Sequence, residues 1–298
     1  MRFLRDVITN VILATPLVGA YAMFALGIVF IHRASKVLNL AHGAMAMFPA
    51  YVCYALAPHI GVFPATLCAL VSGGGLGLGI ERGVVRRLRA QSSTAQTVGT
   101  VAVLGLLIAI AARVWGTTPL RGPSLFPDRG YQVGDAILRL PGIGLFVVAV
   151  VVAAGFMALF RFTDLGLAMR AAADNRRAAS LMGIDPDRTT AVAWFFAGTL
   201  AALGGVLLAA ATNLHPYILS LEVLPAFVAA LIGGLESERG ALAGAAVVGL
   251  TIGIVPSLGG IGESAGMPQV ALAVVALFVM ARRGQRFSAT DVHTGAGL

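Results

Sequence analysis

The chain has 298 residues, of which 58% are hydrophobic and only 11% charged, and its mean hydropathy is +0.89. Soluble domains carry about a quarter of their residues as charges, so an ordinary soluble enzyme or nucleic-acid-binding module is excluded. The net charge of +8 comes from twenty Arg and a single Lys, and in so apolar a chain these charges set membrane topology.

A helix needs about 20 apolar residues to cross a hydrocarbon core about 30 Å thick. Uncharged windows of that order run over 7–31, 37–58, 61–80, 94–112, 140–160, 189–212 and 240–258, with a shorter one at 266–281 and a doubtful one at 223–235. The expected fold is all-α, a polytopic transmembrane helical bundle of about 8–9 spans forming one integral-membrane domain over 1–298. Window 7–31 follows Arg2 and Arg5 as a signal peptide would, but its length and its lack of a small-residue cleavage site predict a retained span. Alternating the spans places fifteen Lys/Arg on one face, in 32–36, 81–90, 161–188, 236–239 and 282–286. The other face holds six, at the N-terminus and in 113–139. Positive loops stay inside, so the N-terminus is expected in the periplasm and the polar tail 282–298 in the cytoplasm. Cys53 and Cys68 fall within predicted spans and read as small apolar side chains.

The second window opens with Asn39-Leu40-Ala41-His42-Gly43. Three apart, Asn39 and His42 would share a helix face. Polar groups at that depth either border a pathway or bond between helices; both readings stand, and the two residues are candidates for a translocation pathway. In the third window Gly73/Gly77, Gly75/Gly79 and Gly79/Gly83 are each four apart, the spacing that lets helix backbones touch in lipid. No G-x-G-x-x-G fingerprint is present there to suggest a nucleotide.

Residues 169–188 carry seven charges in twenty and stand between two apolar windows. Read as a helix over 166–182, Arg170, Asp174 and Arg177 share one face, where Asp174 reaches both arginines. Ala168, Ala171, Ala172, Ala178, Ala179 and Met182 make up most of the other side, small and weakly apolar. Gly183 is placed to end the helix in a left-handed cap, followed by Ile184. Asp185 then caps the next helix, with Pro186 at its first position. A helix lying on lipid would want large apolar anchors, whereas this alanine face suits a groove in a protein. The reading is a cytoplasmic loop over 161–188 that carries a docking helix.

Window 223–235 is too short to span comfortably. Pro225 and the pair Gly233-Gly234 suggest a broken or re-entrant element, and irregular backbone at membrane depth is often where a substrate binds; a short tilted helix is the other reading. Gly262-Glu263-Ser264-Ala265-Gly266 fits G-x-S-x-G, but only Asp291 and His293 follow it and no strand pattern surrounds it, so serine hydrolysis is not expected. A phosphate-binding loop needs Lys before Ser or Thr, and Lys36 precedes Val37. The five histidines are too scattered for a metal site. Strong intramembrane charges are scarce, with Glu222 and Glu263 at predicted span ends, which disfavours the alternative of a self-sufficient, ion-coupled secondary transporter.

Three stretches in order resemble one family: Val37-Leu38-Asn39-Leu40-Ala41-His42-Gly43; Met169-Arg170-Ala171 through Ala178-Ala179 to Met182-Gly183-Ile184; and Ala229-Ala230-Leu231-Ile232-Gly233-Gly234-Leu235 with Gly240. They are similar to LivH-type permeases, the branched-chain amino acid permease family of ABC importers, and the likeness runs from about residue 7 to residue 281. The resemblance implies a transport subunit, not an enzyme, in the bacterial inner membrane, passing a branched-chain or other hydrophobic amino acid or a related small amide or acid. It implies a second homologous permease, two ATPase subunits that bind the ATP and Mg, and a periplasmic substrate-binding protein, with no cofactor in this chain and no nucleic acid. In that family the helix after the fifth span couples the pore to the ATPase, which would assign Arg170, Ala171, Ala172, Asp174, Arg176, Arg177, Ala179 and Gly183 to coupling, and leave Asn39, His42, Gly233 and Gly234 to the pathway.

Overall fold

Apolar runs become helices because hydrocarbon offers no partner for backbone N–H and C=O groups, which must therefore be satisfied within the segment. The computed structural model describes residues 2–133, 136–258, 264 and 266–294. Its first helices are α1 (Arg2–Ser35), α2 (His42–Ile60), α3 (Val62–Ile80), which continues through a π-helical turn at Glu81–Val85, and α4 (Ser93–Trp115). After a loop come α5 (Leu140–Phe162), the short α6 (Asp164–Asp174) and α7 (Arg176–Leu181), and α8 (Pro186–Ala211). The chain closes with α9 (Pro216–Leu221), α10 (Val223–Gly233), α11 (Glu238–Ile254) and α12 (Met267–Thr294). Among the described residues, six stretches are long and apolar enough to cross a membrane: Thr9–Ser35, Val62–Val85, Ser93–Trp115, Leu140–Phe162, Pro186–Ala211 and Pro216–Gly233. The protein is a polytopic helical bundle.

Helix α8 is its central rod. It packs on α1, α2 and α3, and 72% of its apolar window is buried, against 17% for the peripheral α4. Small residues allow this approach. A Cβ on Gly73 would meet the Gly198 carbonyl and one on Gly198 the Gly73 carbonyl, while Gly77 sits against the carbonyl of Trp194. A Cβ on Gly75, Gly79 or Gly83 would meet nothing within 4 Å among the described residues beyond its own helix, so the four-residue spacing is used on one side of α3 only.

Contacts sort the helix ends into two groups. At one end Arg33 binds Glu238 at 2.9 Å, Lys36 binds Glu236, and Arg89 and Arg176 both bind Asp187. At the other end Leu120 pairs through its backbone with Leu214, and the ring of Trp115 stacks on Tyr51. The first end gathers loops expected on one face, and the second gathers 113–139.

The structure corrects several expectations. Residues 113–139 contain a hairpin, β1 (Gly130–Val133) with β2 (Ala136–Arg139), pairing Gly130 with Arg139, so the fold is not wholly helical. The 223–235 window is not an isolated short element. The His215 side chain and Pro216 start α9, which runs into α10 with a joint at Glu222, and the pair forms an 18-residue apolar stretch. That stretch leads from the Leu214 end to the Glu236 end, so it traverses the bundle and does not turn back. The tail beyond 281 continues α12 to Thr294. Of the G-x-S-x-G match, Gly262, Glu263 and Ala265 lie outside the described residues, as do residues 295–298 of the tail.

Candidate functional site

The first candidate lies in the middle of the bundle. After α1 the chain does not begin α2 at once: residues 36–41 are not helical, and Lys36 adopts φ +57°. The stretch leads inward, because His42 packs against Gly27 and Phe24 of α1. Gly27 is eight residues from Ser35, about 12 Å at the helical rise of 1.5 Å per residue. Backbone at this depth must find partners, and it does. The Thr100 hydroxyl accepts from the Leu40 N–H at 3.0 Å, and the Asn39 carboxamide oxygen accepts from the Ala41 N–H at 3.1 Å.

Asn39 and His42 therefore do not share a helix face; Asn39 precedes the helix and His42 begins it. Both are fully enclosed by protein, and Asn39 donates to Met45 Sδ at 3.1 Å. Neither imidazole nitrogen of His42 has a well-formed hydrogen bond among the described residues, only a loose approach to the Phe24 backbone. Beside His42, Gly43 admits the Ser220 carbonyl of α9. Glu222, at the α9–α10 joint, accepts a hydrogen bond from the Tyr21 hydroxyl at 2.9 Å. Tyr21, Phe24 and Gly27 are three apart on α1, so the structure brings His42 and Glu222 to one α1 face, with Ser220 against Gly43 beside them. Glu222 is thus a half-buried carboxylate within the Pro216–Gly233 stretch, where the sequence placed it at a span end. The apolar windows give no sign of this because 213–222 lies between them; His215-Pro216, a side-chain cap followed by proline, is the available signal.

Gly233 and Gly234 are not part of this cluster. A Cβ on Gly233 would strike the Gly240 backbone, and Gly234 closes α10 at φ +87°. Both serve the turn into α11.

The second candidate is the amphipathic segment. It is two helices, not one: Thr163 caps α6, and the Asn175 side chain caps α7 at the Ala178 N–H, 2.9 Å away. Asp174 makes no ion pair among the described residues, and Arg170 donates to the Phe160 carbonyl while Arg176 reaches Asp187. The alanine face is also reassigned. Met169 packs with Phe30 and Phe160, and Ala172 and Ala179 are buried against the bundle. Residues 174–178 and 180–182 remain outside, Ala178 of the predicted face among them, with Leu181 and Met182 83% and 82% exposed. The turn that follows is as expected. Gly183 takes φ +81°, its N–H reaches the Ser180 carbonyl at 3.1 Å, and the Ile184 N–H reaches Ala179 at 3.0 Å. The Asp185 carboxylate then caps α8 at Asp187 and Arg188.

A charged network fastens this segment to α3. Glu81 is fully buried and accepts from Arg86 through Nε at 3.0 Å and Nη2 at 2.9 Å, a bidentate pair, with Arg89 at 3.5 Å. Its hydrogen bond holds the Arg86 guanidinium above its ordinary pKa. Arg89 and Arg176 then share Asp187. Sequence placed Glu81 in a loop, since the charge run after it hid the π-helical continuation of α3.

A bundle that hides its polar groups at the centre and exposes an amphipathic segment at one end is a multi-pass membrane protein. The family profile described as the branched-chain amino acid transport system permease component matches residues 10–281, and the chain belongs to that family. The high-affinity branched-chain amino acid transport system permease protein LivH of Escherichia coli K12 is 27% identical over 264 residues, covering 83% of this chain and 84% of that protein. A probable LivH of Methanocaldococcus jannaschii is 25% identical over 77% of this chain and 75% of its own, and BraD of Pseudomonas aeruginosa is 25% identical over 81% and 82%. The solved structure of PsaBC from Streptococcus pneumoniae in complex with Fab aligns at 14% identity and TM-score 0.43, covering 94% and 90%, a likeness too weak to carry an inference.

Proposed function

We propose that this chain is one of two permease subunits of an inner-membrane ABC importer that carries a branched-chain amino acid. In this reading α1, α2, α3, α4, α5, α8, the α9–α10 pair, α11 and α12 each cross the membrane. The fifteen-to-six division of Lys and Arg supports a cytoplasmic location for the ion-paired end and a periplasmic one for the hairpin. A binding protein delivers substrate at the hairpin, beside a cavity of about 750 Å³ lined by Pro16, Asp128, Arg139 and Asn213. The ATP and Mg belong to two separate ATPase subunits. The substrate is a zwitterion with an apolar side chain, and Glu222 is a half-buried carboxylate with a tyrosine, not a cation, as its partner, suited to an ammonium group passing through.

The observation that carries the reading is the α6–α7 segment. It is clamped to the bundle by Arg170, Met169 and Arg176 while Leu181 and Met182 project from it. Two large apolar side chains on a charged surface are an anchor for a partner, and the reading seats the ATPase there. The test is the purified complex. Leu181→Asp with Met182→Asp should leave the chain inserted but strip the ATPase subunits and abolish substrate-stimulated ATP hydrolysis. Full ATPase retention in that double variant, or uptake by this chain alone in liposomes, would sink the reading.

A further inference from the structure

On the flank formed by α1, α5 and α11, two cavities lie end to end. The upper one, about 550 Å³, is lined at the ion-paired end by Arg33, Arg161, Arg170, Arg239 and Glu238. The lower one, about 250 Å³, is walled by apolar groups, among them Val18, Ala22, Phe146 and Val150. Ala154 and Met157 line both, so the two form one groove.

Charge and length identify the occupant. Four arginines face a single glutamate, which Arg33 already holds at 2.9 Å. Arg170 is used on the Phe160 carbonyl. Arg161 lies over the Phe162 ring at 5.5 Å, and neither it nor Arg239 has an acidic partner among the described residues. Two free guanidiniums at the mouth call for an anion. From Met157 down to Phe146 is eleven residues of α5, about 16 Å at 1.5 Å per residue, close to half of a hydrocarbon core about 30 Å thick. A soluble anion would fill the mouth and leave the apolar stretch empty; a cationic mouth over an apolar channel one leaflet deep fits a phospholipid of the adjoining leaflet. We infer that this groove is a binding site for an anionic phospholipid, its phosphate between Arg161 and Arg239 and one acyl chain along Ala154, Val150 and Phe146.

The probe is phosphatidylglycerol. The full chain is reconstituted in phosphatidylcholine vesicles with and without phosphatidylglycerol, extracted, and its retained lipid counted by native mass spectrometry. The wild type should keep phosphatidylglycerol in preference to phosphatidylcholine. A paired Arg161→Gln and Arg239→Gln variant should lose roughly 25-fold in that preference, since a basic residue near an anionic membrane surface contributes about fivefold. Ala154→Phe keeps the arginines but fills the shared wall, and it should release the lipid as well. Retention unchanged in the arginine variant overturns the site. So does retention unchanged in Ala154→Phe, which would reduce it to surface attraction, and so does displacement by inorganic phosphate, which would make it a free-anion site. A photo-crosslinker at Ala158 that captures a second polypeptide in the assembled complex instead of lipid would overturn it too.

Discussion

The two ends of the bundle are held by different chemistry. At the arginine-rich end a buried carboxylate, Glu81, is gripped by Arg86 and Arg89, and Arg89 and Arg176 meet on Asp187. The turn after α3 is thereby fixed to the starts of α7 and α8, which lie far from it in sequence. At the hairpin end Arg121 and Arg139 share the exposed Asp128, and the join to α8 is the backbone pairing of Leu120 with Leu214. Ion pairs at the water surface contribute little, while breaking a buried one strands a charge. The difference separates an end whose parts must move together from an end whose loops are free to differ.

The sharpest way to break that contrast is Glu81→Ala. Removing one member of a buried pair costs about 3–5 kcal/mol when the charge left behind is fully buried. Arg86 and Arg89 are about one-third exposed, so about 2–3 kcal/mol is expected, read as a fall in thermal midpoint in detergent. A change within error would make the network decorative. Between the ends, Glu222→Gln should assemble normally yet lower substrate uptake roughly tenfold or more, since a hydrogen bond to a charged group contributes about 1.5–3 kcal/mol. Wild-type uptake would confine Glu222 to packing.

At the hairpin end the corresponding change, Asp128→Asn, is expected to cost no more than about 1 kcal/mol; a loss matching that of Glu81→Ala would erase the distinction. The smallest effect is a pH dependence at Lys36–Glu236. The Lys36 hydrogen bond holds the Glu236 carboxyl below the usual carboxylate range. A depressed acid contributes stability above its unfolded pKa of about 4.3 and loses it as pH falls through the lower folded value. The thermal midpoint in detergent, followed against pH, should lose this contribution only below that range, and a Lys36→Met variant should lack that part of the pH dependence.

The long apolar helices were legible from sequence because an uncharged window of about 20 residues suits a hydrocarbon core, and the 94–112 window became Ser93–Trp115. The turn at Gly183 and the cap at Asp185 were legible because few residues suit those backbone positions. The outward side of α6–α7 was not. An alanine stripe permits close packing whatever covers it, and here Ala172 and Ala179 lie against the chain's own bundle. Nor was the depth of Glu222 legible, since it depends on α9 pairing with α10 across a joint that breaks the helical period. The spacing of Asn39 and His42 carries no sign that the chain is non-helical over 36–41, between α1 and α2.

One further consequence follows from the short turn between α7 and α8. Only Met182 to Asp185 separate the two helices, and two backbone bonds and a side-chain cap lock that turn. With a partner seated on Leu181 and Met182, as proposed above, these two side chains would be the handle of a lever whose shaft is α8. A pull there would meet no slack linker, and it would reach α1, α2 and α3 through the close glycine contacts of α8 with all three.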